Sequence, residues 1–163
     1  YPLILIGLIG HKLSVFLQRM NSTTAKTIRY DLAYLRLALN WAQLSMCSRK
    51  KVGAIIVKNH MIISDGYNGS PSGFPNACED ENGQTLWYVL HAEANAILKV
   101  AKSTNNMDGA TLYLTHSPCR DCSKLILQSG IKRLVYIHEY KDPSGLLFLA
   151  QSGIEIKQYL EVS

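Results

Sequence analysis

Three residues with soft or nitrogen donor atoms stand close to one carboxylate in this chain. His91 and Glu93 are two apart, and Cys119 and Cys122 follow in the run Pro118-Cys119-Arg120-Asp121-Cys122. A tetrahedral Zn²⁺ takes nitrogen and sulfur ligands, and a catalytic zinc keeps its fourth position for water. His91, Cys119 and Cys122 supply three ligands. Glu93 is then left over, and a carboxylate beside a metal-activated water is a proton carrier rather than a ligand. A lone C-x-x-C is equally a redox pair or half of a structural zinc site, and a lone His-x-Glu carries little meaning. It is the two halves together that point to catalysis.

Each half needs an element that presents it. Glu93–Lys102 is rich in helix formers, with Ala94, Ile97, Leu98 and Ala101 at helical spacing, which places His91 at a helix start. Ala110–Thr115 alternates as a strand does, and Pro118 is expected to open a second helix carrying Leu125 and Ile126. Two helix N-termini would thus face one metal, and their positive ends favour thiolate at Cys119 and Cys122.

Around these two units the chain reads in order as follows. Residues 1–28 form an apolar extension and linker, and residues 29–163 a single catalytic domain. The first ten residues are apolar but too short to span a bilayer, and His11 and Lys12 interrupt them. They lack a clear basic n-region and cleavage site, Met20 offers an alternative start, and packing on a partner subunit is expected rather than membrane insertion. Asn21–Lys26 reads as a polar linker. Arg29–Met46 reads as an amphipathic helix, with Leu32, Leu35, Leu39, Ala42 and Met46 near one face. Val52–Val57 and Met61–Tyr67 read as a hairpin around Lys58-Asn59-His60. A polar loop from Asn68 to about Gln84 precedes the motif. Strands at Arg133–His138 and Ile154–Tyr159 flank a short helix at Ser144–Ser152, which Gly153 ends.

This order, α-β-β-α-β-α-β-α-β, predicts an α/β fold: a three-layer α-β-α sandwich on a mixed five-stranded sheet. The site would lie where strand carboxyl ends meet helix starts. The net charge of +5 suits anionic ligands, nucleotides included, but is too modest to argue for nucleic acid. Of the four cysteines, two are committed to metal, so a disulfide framework is not expected and a reducing compartment, the cytoplasm, is.

The spacing H-x-E…P-C-x-x-C is a signature of zinc-dependent nucleobase deaminases. With Lys51-Val52-Gly53-Ala54, Gly66-Tyr67-Asn68-Gly69-Ser70-Pro71-Ser72-Gly73, His91–Ile97, Ser117–Cys122 and Gln128-Ser129-Gly130-Ile131-Lys132, the chain resembles the cytidine deaminase-like superfamily, and most closely its deoxycytidylate branch. The resemblance implies hydrolytic deamination of dCMP to dUMP and ammonia, supplying dUMP for thymidylate synthesis. It implies one catalytic Zn²⁺ and Glu93 as carrier of the water proton to N3 and then to the departing amine. It also implies Asn68 on the sugar, the main chain of Ala92 and Ser117 on the cytosine edge, and Tyr140 near the phosphate.

The cluster Arg49-Lys50-Lys51 would then serve the phosphate, although charge at a helix C-terminus is an equal explanation. Lys102 matches a position tied to regulatory nucleotides in some members, and an exposed helix-end lysine is the plainer reading. The resemblance further implies hexamers, with dCTP and dTTP as effectors acting near the Gly66–Gly73 loop. Cys47 and Cys78 align with ligands of a second, structural zinc in some members. Without the longer insert, and with His60, His116 and His138 lacking local ligand spacing, they read as small buried thiols. Two other readings compete: a deaminase of another cytosine or purine compound or of a tRNA adenosine, and a zinc-stabilised interaction module without turnover. The intact Glu93 argues against the second, since a structural zinc has no need of it.

Overall fold

The structure, a computed structural model, describes residues 24–162. The apolar extension, including Ile6, Leu8, Ile9, Val15, Phe16 and Leu17, lies outside the described residues. The fold below belongs to the compact unit Tyr34–Ser163.

Helix α1 covers residues 24–42, so Thr24, Ala25 and Lys26, expected in a linker, are helical. It also stops short of Met46. The amides of Gln43, Leu44 and Ser45 bond back to the carbonyls three residues earlier, at Asn40, Trp41 and Ala42. This tightening ends the helix, and Met46 is left exposed rather than on the buried face.

Strands β1 (Gly53–Lys58) and β2 (Met61–Tyr67) form the expected hairpin. Asn59 and His60, at φ 51° and 62°, make its tight turn in the left-handed region. Helix α2 (Ala92–Ala101), strand β3 (Thr111–His116), helix α3 (Arg120–Gln128), strand β4 (Arg133–His138), helix α4 (Ser144–Gln151) and strand β5 (Glu155–Gln158) follow. Pro118 does not open α3 as expected. It precedes Cys119, which holds the N-cap position.

The sheet runs β2-β1-β3-β4-β5. β1 is antiparallel to β2 and β3, and β3, β4 and β5 are mutually parallel. The mixed five-stranded sheet is therefore as read from the sequence. Strand alternation sorts the two faces. Ala54, Ile56, Leu112, Leu114 and Leu134 pack with Ala92, Ala96 and Val100 of α2, Ile126 of α3 and Leu149 of α4. On the opposite face Tyr113 meets Tyr34 of α1, with ring centroids 5.0 Å apart. There α1 lies so close to the sheet that a Cβ on Gly53 would stand 2.8 Å from the amide nitrogen of Ala42.

Candidate active site

His91 and Cys119 each occupy a helix N-cap with extended backbone (ψ 156° and 173°), the first on α2 and the second on α3. Neither side chain makes the cap hydrogen bond that a serine or aspartate would make there. Both turn instead toward a common point, where Cys122, one turn into α3, joins them. His91 Nδ1 lies 3.5 Å from Cys119 Sγ and 3.4 Å from Cys122 Sγ. The three donor atoms all lie within 4.8 Å of one another. Zn–S and Zn–N bonds of about 2.3 and 2.0 Å at the tetrahedral angle place nitrogen and sulfur about 3.5 Å apart. The donor set and its spacing therefore fit a zinc ion with one position left for a non-protein ligand.

The electrostatics point the same way. Cys119 is pulled down to about 4, first by its hydrogen bond with Cys122 and then by His91. Cys122 is pushed well above the thiol range, first by that same bond and then by burial. His91 is raised, chiefly through its bond with Cys119. These are donors sharing protons that a divalent cation would displace. Glu93 is 4% exposed, and burial pushes its carboxyl up to about 7. A carboxyl poised near neutrality beside such a centre can both take and give a proton.

The centre opens into a cavity of about 320 Å³, a small-molecule scale. Ala92, Ser117, Asn68, Tyr140 and Arg49 all line it. Ala92 is the first residue of α2, and Ser117 follows β3 with its hydroxyl accepting the Tyr140 amide at 2.7 Å. The Asn68 amide is already partly engaged: Oδ1 accepts from Val52 N and Nδ2 donates to Lys50 O, both at 2.8 Å. It thus braces the loop 50–52 as well as facing the cavity, and it uses one of its two amide hydrogens and one of its two carbonyl lone pairs in doing so.

Two sequence candidates are not brought to the cavity. Lys51 is exposed and outside its lining. Lys102 is the C-cap of α2, at the opposite end from His91 and about 16 Å along the axis at 1.5 Å per residue. It is therefore remote from the Gly66–Gly73 loop, which meets the start of that helix.

The cavity is also lined by Lys141 and Glu79, which sequence reasoning did not single out, and by Lys50 and His116, read from the sequence only as part of the basic cluster and as a histidine without local ligand spacing. Lys50 had a visible signal in the basic cluster, and its ammonium stands 5.9 Å from the Tyr140 ring centroid. Glu79 had none. Its carboxylate accepts the amides of Ser48 and Arg49 at 3.1 Å each, and this depends on residues 74–90, the insert that precedes His91, folding back. The insert is fixed there by a disulfide between Cys47 and Cys78. This corrects the expectation of two separate thiols. Both residues are buried as expected, but they are bonded, and Cys47 lines the cavity.

Among the described residues no helix is long and apolar enough to cross a membrane. Residues 28–138 match the family model described as the cytidine and deoxycytidylate deaminase zinc-binding region. The chain is 36% identical to the deoxycytidylate deaminase of Enterobacteria phage T4, over 75% of this chain and 86% of that protein. It is 40% identical to that of Mycobacterium phage D29, over 68% of this chain and 95% of that protein. Among solved structures it resembles the dCMP deaminase of cyanophage S-TIM5 in complex with dCMP and dUMP. That match has TM-score 0.77 and 50% identity, over 78% of this chain and 94% of that one.

Proposed function

The chain belongs to the cytidine and deoxycytidylate deaminase family, and from that premise we propose that it is a zinc-dependent hydrolase converting dCMP and water to dUMP and ammonia. One observation carries the reading: a buried carboxyl, Glu93, sits beside a His91–Cys119–Cys122 donor set on the wall of a cavity that also holds cationic residues. When bound, Zn²⁺ supplies the Lewis acidity that makes hydroxide accessible near neutral pH. Glu93 takes the proton of the attacking water and delivers it to N3 of the cytosine. It then takes the remaining proton from the new hydroxyl at C4 and passes it to the amine, so that the C4 carbonyl forms as the C–N bond breaks and ammonia leaves. The main chain at Ala92 and Ser117 reads the base edge, Asn68 the sugar, and Tyr140 with Arg49 the phosphate.

The test is ammonia release over a panel of cytosine, deoxycytidine, dCMP and dCTP. dCMP is expected to have the highest kcat/KM. Replacing Tyr140 by Phe should weaken dCMP more than deoxycytidine, and equal loss on both would remove the phosphate assignment.

The enzyme is further read as a cytoplasmic homo-oligomer, a hexamer activated by dCTP and inhibited by dTTP. Supporting assembly, Phe74, Trp87 and Tyr88 form an aromatic group on the insert, with Trp87 92% exposed. The free zinc thiols suit a reducing compartment, and the Cys47–Cys78 bond counts against it. Fractionation of the host cell tests the compartment, and sedimentation tests the assembly. dCMP saturation curves with each effector test the control, and a monomer with hyperbolic curves unmoved by either nucleotide would refute it.

A further inference from the structure

His116 ends β3 three residues before Cys119. Its ring lines the cavity and lies against His138, with centroids 5.0 Å apart. Its Nδ1 stands 3.2 Å from Thr115 Oγ1. That hydroxyl, 1% exposed, also accepts the Gly53 amide at 3.1 Å. A buried hydroxyl proton needs an acceptor, and His116 Nδ1 supplies one. With the hydroxyl as donor, Nδ1 is the bare nitrogen and the ring proton sits on Nε2, the tautomer assigned from this contact. With Nδ1 engaged by Thr115, Nε2 is the nitrogen left for a ligand in the cavity that the residue lines.

The ring is also held neutral. Burial, the Lys50 ammonium and the neighbouring His138 together lower its pKa to about 4. The result is an uncharged N–H donor of fixed direction. It shares the cavity wall with Lys50, Tyr140 and Lys141. The lysines carry charge on long flexible stems and give little direction. The imidazole gives direction without charge.

We propose that His116 is a specificity residue for the nucleotide phosphate, its Nε2–H donating to a phosphate oxygen while Lys50 and Lys141 balance the charge. This rests on the reading that the substrate is a monophosphate. The proton stays on the imidazole throughout, so the residue binds and takes no part in the chemical step.

The experiment compares His116→Leu, His116→Asn and His116→Gln with wild type. Zinc content and thermal melting check the fold. The readouts are KM and kcat for dCMP, and the competitive Ki values of dUMP and deoxyuridine. Gln can place an amide nitrogen near the Nε2 position, whereas Asn reaches only as far as Nδ1. Loss of a hydrogen bond to a charged group should raise the dCMP KM and dUMP Ki about tenfold or more in the Leu and Asn variants. kcat and the deoxyuridine Ki should stay within about twofold, and Gln should recover most of the loss. If Leu does not fold, the Asn and Gln pair still decides. Equal behaviour of Asn and Gln, or an unchanged ratio of deoxyuridine to dUMP Ki, overturns the inference. If wild type itself binds dUMP no more tightly than deoxyuridine, the monophosphate reading falls and takes this one with it. If wild type keeps that preference and the variants keep it too, only the role of His116 falls.

Discussion

Gly66 lies against the first turn of α2 with no room for a side chain: a Cβ there would collide with the carbonyl oxygen of Ala92 and stand 2.7 Å from Ala96 N. The contact sets how closely β2 approaches the helix whose N-cap is His91. Both obstructing atoms are backbone, so the strain cannot be relieved by a rotamer change. Gly66→Ala should therefore push the start of α2 outward. Overpacking of this kind costs about 1–3 kcal/mol. The expected outcome is a lower melting temperature together with weaker zinc retention in a chelator titration. A melting loss with zinc affinity unchanged would show that the helix start does not move.

Glu93→Gln keeps the shape of the side chain and removes its ability to carry a proton. The residue is not one of the three donors, so metal content by atomic absorption should match wild type. Deamination should fall by at least about 10²–10⁴-fold, the usual worth of one positioned acid–base group, and by more because Glu93 serves several proton transfers. Loss of zinc in this variant would show instead that Glu93 helps hold the metal.

The division between what the sequence revealed and what it concealed follows from the range of the interactions. His91, Glu93, Cys119 and Cys122 were legible because each pair is local to one strand–helix unit. The hairpin was legible because apolar runs flank a turn that only residues such as Asn59 and His60 at positive φ complete. The end of α1 was not, because its tightened last turn leads into a long-range contact: the Ser45 hydroxyl donates to Asn68 O at 2.8 Å. The cavity wall from Glu79 to Val89 was not legible either. It forms through contacts with residues 47–49, some thirty positions away, and no periodicity marks such a closure.

The Cys47–Cys78 bond holds that closure, and its removal should be felt at the cavity. The cross-link spans 31 residues, and loop closure on that scale contributes about 3–4 kcal/mol in the chain-entropy picture. Thiol titration of the denatured, unreduced protein should count two free thiols, those of Cys119 and Cys122. Cys78→Ser should lower the melting temperature and raise the KM for dCMP, because Glu79 then no longer fixes the amides of Ser48 and Arg49. Since kcat depends on the centre at His91 and Glu93, it should change less than KM. Four titratable thiols in wild type would mean that the insert is held by packing and the Glu79 bonds alone.

The neutral state of His116 also couples stability to pH. Its folded pKa of about 4 lies below the ordinary histidine value of 6.5. Between these values the unfolded chain holds a proton there that the folded chain does not. Stability then rises with pH across the window. The contribution is fully present above about pH 6.5 and is lost as the pH falls toward 4. A shift of this size corresponds to about 3 kcal/mol at most, and solvent screening at a half-buried ring reduces it to about 1–2 kcal/mol. Urea denaturation of zinc-loaded protein at pH 7 and pH 5 measures it. Wild type should lose more stability between the two pH values than His116→Gln, which has no proton to take up. Equal losses would mean that burial, Lys50 and His138 leave the ring free to titrate normally in the folded state.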